Sequence, residues 1–120
     1  MKLVTFRHQD QERIGCILND GRILDFAAAD ASLAVDMLTL IRRQDELMPK
    51  ARAAEAAAPA NARLDAGAVT LLAPLPRPVS MRDGYAFRQH VSTARRNRGL
   101  EMIPEFDLFP VIYFTNHQAV

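Results

Sequence analysis

The sequence predicts an α+β protein: a small N-terminal antiparallel β meander with two helices, followed by the beginning of a second module. Three observations carry this. Short apolar runs alternate with polar residues between Lys2 and Phe26, the period-two pattern of strands. An apolar stripe of helical period and an alanine-rich run follow, as far as Ala58. Pro74, Pro76 and Pro78 then alternate with Leu75, Arg77 and Val79, an extended path that cannot occupy the middle of a sheet. The boundary is set there, giving modules 1–78 and 79–120.

Lys2 to Phe6 is the first expected strand. Val4 and Phe6 project to one side, Leu3 and Thr5 to the other. His8-Gln9-Asp10-Gln11 reads as a polar loop. Arg13 to Asn19 and Arg22 to Phe26 read as strands joined at Asp20-Gly21, a pair suited to a type I′ turn because both central residues need positive φ. Leu33, Met37, Leu40 and Ile41 form one helical stripe, capped by Asp30 or Ser32 and ending at Arg42 and Arg43. A second helix is expected from Glu46 to Ala58, with Pro49 tolerable only in its first turn. Its alanines give high helix propensity but little bulk, so it packs on one side at most. Ala68 to Leu72 reads as a strand.

In the second module Ser80 is the expected N-cap of a helix that ends near Gly99, a natural C′ residue. Pro104 and Pro110 bracket an irregular segment, and Val111 to Thr115 reads as a buried strand. One helix and one strand leave a strand ladder and an apolar face without partners. The sequence therefore reads as the front portion of a longer protein, and self-association through the terminal strand is expected.

The composition excludes several classes. A hydrophobic fraction of 49% is ordinary for a globular protein. A formal charge of +1 argues neither for bulk nucleic-acid binding nor for an acidic tail. The arginines at 77, 82, 88, 95, 96 and 98 form a local basic excess, read first as a solvated face and second as an attractor for an acidic substrate. There is no tryptophan, and no aromatic residue interleaves Arg95 to Arg98, so a base-stacking platform is not built. The single cysteine, Cys16, excludes an internal disulfide and sits in an apolar run, where a buried inert thiol is expected. No apolar run approaches the ~18 residues of a membrane span, and none follows Met1 as a signal peptide would require. A cytoplasmic location is expected.

The segment Asp83-Gly84-Tyr85-Ala86-Phe87-Arg88-Gln89-His90 is the most informative in the chain. On one helix, seven residues make almost two turns, which would put Asp83 and His90 on one face roughly 10 Å apart. That gap suits a metal at the carboxylate, a base at the imidazole and a small substrate between. A lone aspartate near a helix start is ordinarily a cap, and a lone histidine ordinarily a surface or core residue. His8 and His117 are read as surface residues.

The run from Leu72 to Asp83, followed by Tyr85, Phe87, Gln89 and His90, resembles the fumarylacetoacetate hydrolase family. So does Arg95-Arg96-Asn97-Arg98-Gly99-Leu100 with Phe109 to Asn116. The opening, Met1 through Gly21, is similar to the small N-terminal domain of shorter bacterial members. The resemblance implies a mixed β-roll catalytic domain, often dimeric, holding a divalent cation, Mg²⁺ foremost, with Ca²⁺ or Mn²⁺ in its place. It implies Asp83 as a metal ligand, His90 as the base that activates water, and Tyr85 and Arg98 as substrate contacts. The family's remaining metal carboxylates, including a Glu-x-Glu pair, have no match here, and Gly84 replaces an aromatic residue often found after the aspartate.

The implied reaction is hydrolysis of the carbon–carbon bond of a small acidic β-diketone, fumarylacetoacetate or an acylpyruvate, in the breakdown of tyrosine and other aromatic compounds. Residue chemistry agrees with it: a hard cation takes carboxylate oxygens, and a neutral imidazole takes a proton from water. Two alternatives stand beside it. One is a non-catalytic folding or dimerisation module, inactive alone. The other is a decarboxylase, hydratase or isomerase of the same family.

Overall fold

Two strands, β1 (Lys2–His8) and β2 (Gln11–Ile17), form the central hairpin of the first unit. This is a computed structural model, and it describes residues 1–118; the last two positions of the second module, Ala119 and Val120, lie outside the described residues. The hairpin register runs from Lys2 opposite Ile17 to His8 opposite Gln11, so Gln9 and Asp10 alone make the turn. Their φ angles are 48° and 60°. Positive φ at both positions is type I′ geometry, whose twist matches that of the strands. The sequence placed that turn at Asp20-Gly21 and read 8–11 as a loop. Ladder pairing on both sides of Gln9-Asp10 overrides their weak turn signal.

At the second hairpin only Gly21 has positive φ, 84°. Its N–H donates to the Leu18 carbonyl at 3.0 Å, and the Leu18 N–H donates to the Arg22 carbonyl at 2.8 Å. This is a longer turn closed by a left-handed glycine. The Arg22 guanidinium and backbone N–H both donate to the Asp20 carboxylate and hold it below its usual pKa range.

Strands β3 (Ile23–Asp25), β4 (Arg63–Leu64) and β5 (Thr70–Leu71) complete a five-stranded antiparallel sheet in the order β4-β3-β2-β1-β5, curled into a half-barrel. Asp25 ends β3 early. Its Oδ1 accepts the Ala27 and Ala28 N–H groups at 3.0 and 3.3 Å and starts α1 (Phe26–Ala29), a turn the sequence assigned to a strand end. Its Oδ2 accepts Arg13 Nη1 at 2.6 Å, so this buried carboxylate is paired.

Asp30 caps a 3₁₀ turn over Ala31–Leu33, and Asp36 caps α2 (Met37–Arg42). The expected single helix is thus broken by a second cap, although Leu33, Met37 and Leu40 are all buried. Helix α3 (Gln44–Ala57) starts before the expected Glu46. Pro49 therefore falls in its second turn, where the ring removes an N–H that would bond the Asp45 carbonyl. Leu47, Ala51 and Ala54, at i, i+4 and i+7, are its buried face, so it packs on one side. They join Ile14, Cys16, Leu24 and Phe26 in one core.

Cys16 is fully buried, and its thiol is pushed up to about 11, first by desolvation and then by Glu55, with the N-terminal ammonium opposing. The native state holds this proton more tightly than the unfolded chain, so stability falls as pH rises. The contribution is complete below about pH 9 and is lost between about 9 and 11. Cys16 is expected to resist iodoacetamide at pH 8 until urea unfolds the chain. Urea titrations between pH 8.5 and 11 should lose on the order of 2 kcal/mol that Cys16→Ala does not lose. Rapid alkylation of the folded protein would contradict this burial.

The chain divides into two compact units, Met1–Pro76 and Arg77–Val120. The second unit contains β6 (Met81–Gly84), α4 (Arg88–Asn97), a 3₁₀ turn over Pro104–Asp107, and β7 (Ile112–Thr115). Strands β6 and β7 pair antiparallel as a separate two-stranded sheet. The helix expected from Ser80 is corrected here: Met81–Gly84 is strand, because pairing with β7 satisfies a backbone that Gly84 disfavours as helix. The expected end holds. Gly99 has φ 70°, its N–H donates to the Arg96 carbonyl, and the Leu100 N–H donates to the Arg95 carbonyl, a Schellman closure. A second correction concerns β7, expected to be buried and found exposed along most of its length. Among the described residues no helix is long and apolar enough to cross a membrane.

Candidate functional site

Asp83, Tyr85 and His90 lie on a strand, turn and helix rather than on one helix. Asp83 sits in β6 directly opposite Tyr113 of β7. The ladder continues one step, with the Tyr85 N–H donating to the Val111 carbonyl at 3.0 Å. The Ala86 N–H then bonds the Gly84 carbonyl at 2.9 Å, a tight turn that Gly84 eases. Phe87 caps α4 without a side-chain bond, and His90 stands in its first turn. The helical same-face relation between Asp83 and His90 is therefore replaced by a reversal of the chain between them.

That reversal brings Tyr85 against His90. Their ring centroids are 5.6 Å apart, edge to face at 81°. The half-buried Tyr85 ring also meets Phe106 edge-on at 6.4 Å. Such pairs contribute ~0.5–1.5 kcal/mol each and fix ring orientation. Arg88 holds the Pro104–Asp107 turn to the start of α4 through two bonds to Asp107, at 3.0 and 3.3 Å. Both side chains are more than half exposed, so this pair contributes ~1 kcal/mol at most. On the other face of the sheet from Asp83, Arg82 stacks over Phe114 at 4.6 Å.

Two open clefts flank the aromatic pair. One, about 520 Å³, is walled by Tyr85, Phe106, Phe109, Val111 and Ile112, with Asp107 at its rim. The other, about 470 Å³, is lined by Phe87, Arg88, Gln89, His90 and Thr93. Tyr85 and His90 thus open into different clefts, and Asp83 lines neither. Arg98 is exposed at the C-cap of α4, eight residues beyond His90 and roughly 12 Å along the axis, and lines neither cleft. Of the four sequence-derived residues, the structure brings together Tyr85 and His90 only.

Phe106 and Tyr113 were not picked out as site residues. Phe106 was hidden in a segment read as irregular. Tyr113 was read as part of a buried strand, and only the pairing register sets it beside Asp83. The Pro104 and Pro110 brackets were the available signal for a held turn.

Asp83 offers a carboxylate suited to a hard cation, which ordinarily collects six or more oxygen ligands. Among the described residues no group of three or more His, Cys, Asp or Glu side chains is placed to hold a metal ion. The described donor set does not by itself fit a Mg²⁺ site. No family model matches the chain, and no curated protein matches its sequence.

Proposed function

We propose that the Asp83–Tyr85–His90 segment is the substrate-facing part of a hydrolase that cleaves the carbon–carbon bond of a β-diketone acid, of the fumarylacetoacetate or acylpyruvate class. The observation that supports it most is the Tyr85–His90 contact. It orients an exposed imidazole at the mouth of a cleft that also presents Arg88 and Gln89. In this reading His90 accepts a proton from water, and the hydroxide adds to one carbonyl. The carbon–carbon bond then breaks, the enolate carbon departs with the bonding pair, and the proton returns to that carbon. Tyr85, which touches the imidazole, contacts the substrate in this reading, whereas Arg98 lies outside the His90 cleft and takes no part in it. The proposal places the protein in the fumarylacetoacetate hydrolase family, in the cytoplasm, in aromatic-compound catabolism, with a mixed β-roll built on β6 and β7. A divalent cation, Mg²⁺ before Ca²⁺ or Mn²⁺, belongs to it with Asp83 as one ligand.

A second reading has its own support. Missing metal-ligand grouping among the described residues favours a non-catalytic module. One assay separates the two. The gene product is mixed with Mg²⁺ and an acylpyruvate, and the diketone absorbance is followed. Steady loss of absorbance supports the hydrolase. An unchanged signal across acylpyruvate, fumarylacetoacetate and oxaloacetate supports the module. The 120-residue chain alone is expected to be inactive and to show only weak Mg²⁺ binding by calorimetry.

A further inference from the structure

Of the arginines at 77, 82, 88, 95, 96 and 98, only Arg88 lines the cleft that holds His90. Arg82 is turned onto the Phe114 ring and the Met81 carbonyl, and Arg95 bonds the Glu101 carbonyl. Arg98, to which the family resemblance gives a substrate contact, stands at the far end of α4. A guanidinium beside the imidazole is therefore supplied by Arg88.

The way Arg88 is held leaves it able to bind. Its Nε donates to Asp107 Oδ1 at 3.0 Å and its Nη2 to Oδ2 at 3.3 Å. Asp107 thus occupies the side-on edge of the fork. A guanidinium has five N–H donors in one plane, so Nη1 and the second hydrogen of Nη2 form another two-donor edge, end-on. Among the described residues nothing bonds Arg88 Nη1. A two-donor edge matches a carboxylate, whose two oxygens accept in parallel. The side chain is 61% exposed, so that edge is within reach of a ligand. The Asp107 bonds also restrict the rotamers of Arg88 beforehand, so less freedom is lost on binding. Asp107 closes a 3₁₀ turn that starts at Pro104 and is fixed by the Leu108 and Phe109 N–H groups on the Glu105 carbonyl. The same turn carries Phe106, edge-on to the Tyr85 ring that meets His90. Fork and imidazole are mounted on one connected set of contacts.

We infer that Arg88 binds the carboxylate of the ligand in the His90 cleft through its end-on edge, and that Asp107 is the positioning residue that holds it there. The identity of the ligand as a diketone acid rests on the hydrolase reading. The geometry itself asks for a small carboxylate beside an imidazole.

The test is a binding titration of the gene product without Mg²⁺, so that turnover does not enter. An acylpyruvate and its methyl ester are each added, and the His90 ring resonances are followed. The parent protein is expected to bind the acid ~10-fold more tightly than the ester, as a charge-assisted two-bond contact requires. Arg88→Gln should lose that preference and leave ester binding unchanged. Arg88→Lys, a point charge without the fork, should restore it only in part. Asp107→Ala should weaken acid binding about fivefold, yet have no effect in the Arg88→Gln background, because it acts through Arg88. Asp107→Glu should recover most of that loss. Both side chains are more than half exposed, so the fold should survive, and an unshifted Tyr85 ring in the free variants checks it. If these preferences hold and the gene product hydrolyses no diketone, the hydrolase reading fails and the carboxylate site stands. The inference is overturned if the parent does not distinguish acid from ester, if Arg88→Gln keeps the acid preference, or if Asp107→Ala tightens acid binding, whatever the turnover.

Discussion

Replacing His90 with alanine is expected to lower turnover of a β-diketone acid by ~100- to 10,000-fold, the range that a positioned general base supplies. The loss should fall on kcat, with KM little changed, because the imidazole acts on water rather than on substrate binding. His90 is exposed in the first turn of α4, and its ring leans edge-on against Tyr85. Truncating it therefore costs little stability, and lost activity reads as lost chemistry. Tyr85→Phe keeps the edge contact and should retain kcat better than Tyr85→Ala, which frees the imidazole. Equal turnover by His90→Ala and the parent protein would remove His90 from the mechanism.

The second large effect is structural. Gly15→Ala is expected to destabilise the first unit by on the order of 3–5 kcal/mol, placing it among the most damaging single substitutions. Gly15 lies in β2 opposite Asp25. A Cβ built there overlaps the Leu24 carbonyl oxygen and lies 3.2 Å from the Phe6 ring. The first neighbour is backbone within the β2–β3 ladder and cannot swing aside. Relief requires parting the strands, which opens the core at Leu24 and Phe6, both fully buried. Against a stability of ~5–15 kcal/mol for a typical domain, that loss removes a large share of the margin. Urea unfolding followed by circular dichroism should show the fall. Gly67→Ala, with open space around its Cβ position, is the matched control and should change stability by under ~1 kcal/mol. Similar midpoints for the two variants would show that the ladder accommodates the methyl.

Much of the first unit was legible. The period-3.6 recurrence of Leu33, Met37 and Leu40 reflects burial of one face, whereas β1 and β2, found as strands, bury consecutive residues on both faces, Thr5 with Phe6 and Ile14 with Gly15 and Cys16. Turn chemistry was less legible. Gln9-Asp10 takes the left-handed pair of angles while Asp20-Gly21 takes only one. Strand register selects the turn, and register is a long-range property. Asp25 and Asp36 acted as caps that local propensity did not separate from strand or helix interior.

The candidate site shows the same division. Residue types alone named Asp83, Tyr85 and His90 and the chemistry each can do. The assumption that one helix carried all three failed, because the backbone at Met81–Gly84 finds its partners in Ile112–Thr115, some thirty residues away. That pairing turns the chain at Gly84–Phe87, brings Tyr85 onto His90 and leaves Asp83 beside Tyr113. By itself the sequence determined which side chains are apolar, chargeable or able to cap, since these are properties of single residues and their near neighbours. Only the tertiary structure decided which of them meet, because backbone hydrogen bonds between distant strands outweigh the fractions of a kcal/mol that separate local conformations.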